Sequence, residues 1–385
     1  MSLVDDRPVA AVPVESSHLE FDFSRIDPAV RKRLRPLSKL DNWHAPLGVL
    51  QDYAVIAFAV WLSLGVSWWL FPVSAVLIGS TQRAFANILH DSAHKTLTTN
   101  QKLNLALGTV FSGYLILHLY NPYRSTHIGG HHRYLGDPEL DPDYEFHIDA
   151  GIYNYRESNA KFFARNILQA VLGLRTVEYL RYIARDRIFV KTGPTAVSSP
   201  ISMRTERIAL FTQWALIIGA AATFGWLHYL LLFWFVPMFT TGVMVGWISE
   251  LAEHYPLPES ENKQVLMTRN RHGWAVENFI FGRHHDHYHL VHHLSMGIPF
   301  WNMKRAHEIL LDDDAYAAWD RLWGGIFTRG RGRKGTETMT SYSGKYRAWR
   351  RSGGDPKQSS TTFAEVLTLA AQVRAEEARE SAVSR

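Results

Sequence analysis

Two long stretches of this chain carry no charged side chain, residues 53–82 and 208–249. A membrane-spanning helix needs about 20 apolar residues, whereas an apolar run of about 10–14 is more typical of a buried helix in a soluble protein. Pro72 interrupts the first stretch past its middle, and Phe224-Gly225-Trp226 supplies a turn in the second. The pattern predicts an all-α integral membrane protein with two transmembrane hairpins, about four spans in all.

The charges around these stretches predict the orientation of the hairpins. Neither far-side turn contains Lys or Arg, whereas basic residues cluster outside the hairpins, at 31–39 and 329–334. By the positive-inside rule, both termini and the polar loop 124–206 are cytosolic. Residues 103–123 are also uncharged, but their Asn104 and His118 favour a half-buried or re-entrant helix. Arg83 is close enough to the end of its span to snorkel to the membrane surface.

The polarity of the chain divides it into three parts. Residues 1–45 form a polar arm, 46–305 a membrane domain and 306–385 a soluble tail. The net charge of +5 is compatible with nucleic acid or with an anionic membrane surface. Because the basic residues flank the apolar segments, we expect membrane lipids as partners and no nucleic acid.

The absence of cysteine limits the chemistry available to the chain. It excludes disulfide frameworks, cysteine nucleophiles and metal centres held by thiolates. A metal ion must therefore be bound by His, Asp or Glu. The chain has 19 histidines, and many of them are clustered.

Three groups of histidines and one further histidine adjoin or follow the apolar stretches. Residues 90–94 have the form HxxxH, 127–132 the form HxxxHH, and 289–293 the form HxxHH. Histidines three or four positions apart share one face of a helix and can aim at one point. Their imidazoles suit iron, zinc or copper. The candidate ligands are His90, His94, His127, His131, His132, His254, His289, His292 and His293, which are too many for one ion and suit two.

The remaining histidines have other predicted roles. We expect packing for His118, and surface or supporting positions for His284, His285 and His287. The other isolated histidines are interpreted as solvated or core residues. Carboxylates that adjoin or follow the candidate ligands can accept a hydrogen bond from a ligating imidazole; they are Asp91, Asp137, Asp141, Asp143, Glu253 and Asp286.

The combined histidine pattern resembles that of the membrane fatty acid desaturase superfamily. The resemblance covers about residues 45–305 and includes His131-His132-Arg133-Tyr134-Leu135-Gly136-Asp137 and residues 288–294. It implies a helical membrane domain with a cytosolic cap, and two iron ions bound by the nine histidines. It also implies dioxygen as co-substrate and electrons from a separate donor, such as a ferredoxin-like protein, because no electron-transfer domain is fused to the chain.

One position departs from the family pattern. Stearoyl-type desaturases have Asn four residues before the histidine that corresponds to His254, and this chain has Glu250. A carboxylate there could bind iron or hold a bridging water, so Glu250 is the predicted catalytic residue. The departure keeps hydroxylation open beside desaturation.

The predicted function is desaturation of a fatty acyl chain or related lipid. The alternative is hydroxylation or oxygenation of an alkane, a carotenoid or a specialised metabolite. A non-catalytic metal carrier is disfavoured because its spans would need polar residues. A tunnel for an acyl chain could be lined by tryptophans of the apolar stretches, or these could contact lipid; they are Trp61, Trp68, Trp69, Trp214, Trp226, Trp234 and Trp247.

Overall fold

The computed structural model describes residues 26–190, 196–261 and 264–356. These ranges are helical, and strand pairing within them is limited to one bridge between Trp323 and Glu337. The predicted all-α fold class is confirmed. The first 25 residues of the predicted arm and the Ala/Glu-rich end of the predicted tail lie outside the described residues.

The α-helices are numbered in chain order. They are α1 (Pro28–Leu34), α2 (His44–Trp61), α3 (Phe71–Ala93), α4 (Gln101–Gly108), α5 (Tyr120–Arg124), α6 (His132–Tyr134), α7 (Pro142–Asp149), α8 (Asn159–Phe163), α9 (Gln169–Val171), α10 (Thr176–Tyr182), α11 (Met203–Thr223), α12 (Leu227–Leu230), α13 (Val236–Phe239), α14 (Thr241–His254), α15 (Leu257–Ser260), α16 (Ala275–Phe281), α17 (His289–Leu294), α18 (Met303–Leu310), α19 (Asp314–Asp320) and α20 (Met339–Arg351). Turns of π-helix cover Leu62–Val66, Ser125–His131, Ala164–Leu168, Ile183–Ile188 and Leu231–Phe235.

Two helical segments are long and apolar enough to cross a membrane, His44–Val66 and Leu227–Glu259. A third candidate is the pair Gln101–Ile116 and Tyr120–Tyr134, which bends by 101° as a broken span or re-entrant segment would. The predicted count of four spans is not confirmed. The other two hairpin arms, α3 and α11, are more polar, since α3 ends in a series of buried polar residues and α11 begins with Arg204 and Glu206.

Helix α3 lies at the centre of the molecule, between α2 and α14. Helices α3 and α14 run in the same direction and approach closely at Gly79, where a β-carbon would lie 2.3 Å from Oγ1 of Thr241. Only glycine permits this contact, because any larger side chain would push the two backbones apart. The close approach brings the C-terminal ends of α3 and α14 to the same level.

The N-terminal helix and the first part of the predicted tail pack against the rest of the fold. Val30 and Leu34 of α1 share an apolar cluster with Leu290 of α17 and with Trp319 and Trp323 near α19. This cluster supports α17 from the side opposite α3 and α14. The division into arm, membrane domain and tail stays a prediction.

A buried carboxylate connects α11 to the short helix α5. The side chain of Glu206 accepts hydrogen bonds from the backbone N–H groups of Tyr120, at 2.7 Å, and Asn121, at 2.8 Å. It also accepts one from the hydroxyl of Tyr114, at 3.3 Å. Glu206 therefore satisfies the N-terminal donors of α5, which leads directly into residues 127–132.

We predict that Glu206→Ala destabilises the protein, because it leaves buried backbone donors without an acceptor. The expected loss is about 1–3 kcal/mol in the free energy of unfolding, measured by thermal unfolding in detergent. Glu145→Ala, which removes an exposed carboxylate of α7, is the control and should change little. Equal stability of the two variants would contradict the role given to Glu206.

Candidate metal centre

The first group of histidines lies at the C-terminal end of α3. His90 is in its last turn and His94 follows it, so the two rings share one helix face. The Nδ1 atom of His90 lies 2.7 Å from Oδ1 of Asp91, which leaves Nε2 free to face inward. The Nε2 atom of His94 is buried and has no hydrogen-bond partner within the described chain.

The second group lies in the π-helical turn Ser125–His131 and the start of α6. Such turns are rare and are frequent at functional sites. The wider turn brings residues five apart together, and Nε2 of His127 lies 3.0 Å from Nε2 of His132. His131 takes a different direction, with its Nδ1 atom 3.1 Å from Oδ1 of Asp141.

The third group and His254 complete the set. Helix α17 carries His289 and His293, whose Nε2 atoms lie 3.1 Å apart. Its third histidine, His292, faces His90 and His132 instead. His254 ends α14, and its Nδ1 atom lies 2.9 Å from the carbonyl oxygen of Met267. The Nε2 atom of His254 lies 2.9 Å from that of His289.

All nine candidate ligands are brought together, in two adjacent groups. Within each group, one ligand atom of every residue lies within 4.8 Å of those of the others. The first group contains five histidines: His90, His94, His127, His132 and His292. The second group contains four: His131, His254, His289 and His293. The second and third sequence motifs are each divided between the two groups, so a motif does not correspond to one ion.

The distances between the nitrogens fit metal ions. The Nε2 atom of His292 lies 3.0 Å from that of His90 and 2.9 Å from that of His132. Two nitrogens that bind an ion at about 2.1 Å and at right angles to each other lie about 3.0 Å apart. Neutral imidazoles whose lone pairs converge repel one another unless a cation lies between them. A bound cation would also explain why the buried Nε2 atom of His94 has no hydrogen-bond partner within the described chain.

Carboxylates surround the histidine groups, as the sequence predicted for most of them. Asp91 and Asp141 contact His90 and His131, and an oxygen of Glu253 lies 3.8 Å from Nε2 of His289. Burial by itself would raise the pKa of Asp141, but hydrogen bonds from the His131 ring and from the N–H of Gly136 lower it below its usual value. Asp141 is therefore ionised at neutral pH and orients the His131 ring.

Two of the other predicted acidic residues lie close to the histidines. An oxygen of Asp143 lies 3.6 Å from Nδ1 of His131, and Asp286 groups with Glu253 and His289. Asp137 has another role, since it accepts hydrogen bonds from the backbone N–H groups in the turn at 139–140.

Glu250 and Arg83 lie beside the histidines and contact each other. The Nη1 atom of Arg83 lies 3.3 Å from Glu250, and its Nη2 atom 3.5 Å from Glu253. The prediction that Arg83 snorkels to the membrane surface is wrong, because these carboxylates hold it inside. Glu253, and not Glu250, lies within ligand distance of a histidine. The catalytic role of Glu250 stays a prediction.

The sequence analysis missed Asp52, which supports the loop before the third group. Its fully buried carboxylate accepts from Nε2 of His284, at 2.6 Å, and forms an ion pair with Arg283. His284 and the next residue, His285, have positive φ angles of 55° and 60°. The signal available in the sequence was a single acidic residue at the very edge of a long apolar stretch.

Of the remaining histidines, His18 lies outside the described residues, whereas His118, His272 and His307 pack as predicted for core or supporting residues. His118 is buried, with Nδ1 2.8 Å from the carbonyl oxygen of Ile116. His272 and His307 adjoin buried Asp320, which also pairs with Arg333 at 2.8 Å. The positive charge of Arg333 already neutralises this carboxylate, so the cluster is a buried polar network.

We predict that Asp52→Asn destabilises the protein by about 3–5 kcal/mol, because it leaves the buried guanidinium of Arg283 without a counter-charge. Thermal unfolding in detergent measures the loss. The double variant Asp52→Asn/Arg283→Met removes both charges and should recover most of the stability. An equal loss in the single and double variants would show that the ion pair is not the cause.

Comparisons with known proteins agree with this geometry. A family model described as fatty acid desaturase matches residues 67–323. The dihydrorhizobitoxine desaturase of Bradyrhizobium elkanii is 40% identical over 309 residues, which cover 80% of this chain and 86% of that protein.

Two lipid desaturases are more distant. The sn-1 oleoyl-lipid 12-desaturase of Anabaena variabilis is 24% identical over 69% of this chain and 75% of that protein. The chloroplastic omega-6 fatty acid desaturase of Glycine max is 23% identical over 80% of this chain and 75% of that protein. The chain therefore belongs to the fatty acid desaturase family and is a desaturase-type oxidoreductase of the membrane.

Proposed function

We propose that the two histidine groups bind two iron ions, one per group, and that the protein uses them to desaturate its substrate. The convergence of the nine histidines in two groups carries the proposal, with seven of their Nε2 atoms 2.9–3.1 Å from a neighbouring one. When bound, the iron pair supplies the oxidising power to break an unactivated C–H bond with dioxygen and two external electrons, which no amino-acid side chain can do.

The protein contributes orientation and charge to this chemistry. Asp91 and Asp141 accept from the Nδ1 atoms of His90 and His131 and so keep their Nε2 lone pairs directed inward. On the other side, Arg271 lies 3.1 Å from Glu253 and 2.6 Å from Asp286. The arginine holds these carboxylates in place beside His289.

The substrate we propose is a specialised metabolite. The relative named for dihydrorhizobitoxine is 40% identical to this chain over the aligned residues, whereas the two lipid desaturases are 24% and 23% identical. Among the seven tryptophans considered for an acyl tunnel, Trp247 lines a cavity along α14. Trp61, Trp68, Trp69 and Trp226 have mostly exposed side chains, as lipid contact would require.

The membrane arrangement we propose has four spans, with both termini and the histidines on the cytosolic side. The charge distribution supports this orientation, and the two candidate spans His44–Val66 and Leu227–Glu259 correspond to one arm of each predicted hairpin. In this arrangement a separate cytosolic donor, such as a ferredoxin-like protein, delivers the electrons. The basic residues that flank the spans suit an acidic donor or anionic lipids.

We predict about two equivalents of iron per purified chain, measured by elemental analysis. His131→Ala and His292→Ala each remove a ligand from a different group and should abolish turnover, while the protein still inserts into the membrane. His228→Ala, at an exposed position far along the chain from the motifs, is the control. One tightly bound zinc in protein made with ample iron, or full activity in either ligand variant, would refute the assignment.

We predict that cells producing the protein accumulate a compound with two hydrogens fewer than its precursor and no added oxygen. Mass spectrometry of polar and lipid extracts, with and without the protein, measures this. A new double bond in fatty acyl chains would instead support a lipid substrate, and an added hydroxyl group would support the hydroxylase alternative. The His131→Ala variant provides the inactive control.

A further inference from the structure

Two cavities meet beside the histidine groups. One, of about 70 Å³, is lined by His90, His127, His131, His254 and His289 together with the surrounding charged residues. The other, of about 80 Å³, lies further along α3 and α14. Both are lined by Arg83, Ala86, His118, Tyr182 and Glu250, so they adjoin at these side chains, and we call the two together the passage.

The passage follows one face of each of two helices. On α14 this face is formed by Gly242, Gly246, Glu250 and His254, spaced by four residues. At a rise of about 1.5 Å per residue, Glu250 lies about 6 Å along the axis from His254. A β-carbon on Gly246 would meet no atom within 4 Å, because this part of the face borders open space.

The far part of the passage contains buried polar atoms without partners. Gln82 and Trp247 line it and are 3% and 6% exposed. Within the described chain, Oε1 of Gln82 and Nε1 of Trp247 have no hydrogen-bond partner. Leaving such atoms unsatisfied costs about 1–3 kcal/mol each. The ion pair Arg175–Glu178 also lines this part, so its walls are more polar than an acyl chain requires.

The side chains around the near part of the passage include one carboxylate more than guanidiniums. The carboxylates are those of Asp143, Glu250, Glu253 and Asp286, and the guanidiniums are those of Arg83, Arg187 and Arg271. Glu253 and Asp286 contact both Arg83 and Arg271, and their side chains are 5% and 12% accessible. Glu250 contacts Arg83 at 3.3 Å, and 44% of its side chain is accessible from the passage.

We propose that Glu250 binds a protonated amine of the substrate. The substrate would then be a compact polar molecule whose cationic nitrogen lies beside Glu250, one turn of α14 before His254. The ring of Tyr179, which also lines the passage, adds a favourable surface for a cation. This inference rests on the proposed function, since it assigns the substrate of the same site.

The test uses binding, which requires neither turnover nor an electron donor. The probes are n-hexylamine, 1-hexanol and hexanoate, which share a chain length and differ in charge. Their dissociation constants for the purified full-length protein in detergent are measured by ligand-observed NMR. In Gly246→Leu, the larger side chain occupies the passage, and its β-carbon meets no atom within 4 Å. The probe binding that remains in this variant measures non-specific binding to the protein–detergent micelle.

We expect the protein to bind n-hexylamine about tenfold more tightly than 1-hexanol, and hexanoate most weakly, because a charge-assisted hydrogen bond is the stronger one. Glu250→Gln should reduce the preference for the amine to less than twofold. The same variant should still bind 1-hexanol, and this binding would show that the passage is intact. Glu178→Gln is the matched control, since this carboxylate lines the same passage but is paired with Arg175 at 2.7 Å.

Two results would overturn the proposal. One is equal binding of the amine and the alcohol by the unaltered protein, and the other is an unchanged preference in Glu250→Gln. If the amine preference is found but no compound loses hydrogen in the extract experiment, the proposed function fails and the binding site stands. If a desaturated product is found without the amine preference, the function stands and the role of Glu250 is refuted.

Discussion

The mutual repulsion of buried imidazole nitrogens is the constraint on which the rest of this structure depends. Nine rings meet in two groups, and seven of their Nε2 atoms lie 2.9–3.1 Å from another, an arrangement that is unfavourable without positive charge between them. Holding it requires helices that are themselves fixed. The contact at Gly79 between α3 and α14, and the apolar cluster beneath α17, supply this rigidity.

The buried charges around the rings also need partners of opposite charge. Carboxylates accept from the outer nitrogens of His90 and His131, and arginines hold the carboxylates beside His289. A charge without a partner in such surroundings would be costly. Most of these charges are paired, and Glu250 is the carboxylate that keeps the largest accessible surface among those facing Arg83. The accessible carboxylate of Glu250 therefore suits the proposed binding of a cationic group of the substrate.

The sequence predicted more of the metal centre than of the membrane arrangement. All nine histidines converge, and Asp91, Asp141 and Glu253 lie beside them, because ligand chemistry restricts the residue types that such a site can use. The count of four spans is not confirmed, since α3 and α11 combine apolar length with polar ends. Arg83 was placed at the membrane surface because its partners lie more than 160 positions away in the chain.

Composition and spacing by themselves predicted that this chain is helical, has segments apolar enough to cross a membrane and gathers its histidine motifs. These properties depend on local patterns: the length of uncharged stretches and the i, i+3 and i, i+4 periodicity of a helix. The tertiary structure alone decided which ring joins which group, that Asp52 supports His284, and that Glu250 faces a cavity. These depend on the π-helical turn at 125–131 and on how each helix is rotated about its axis against its neighbours, which no local periodicity encodes.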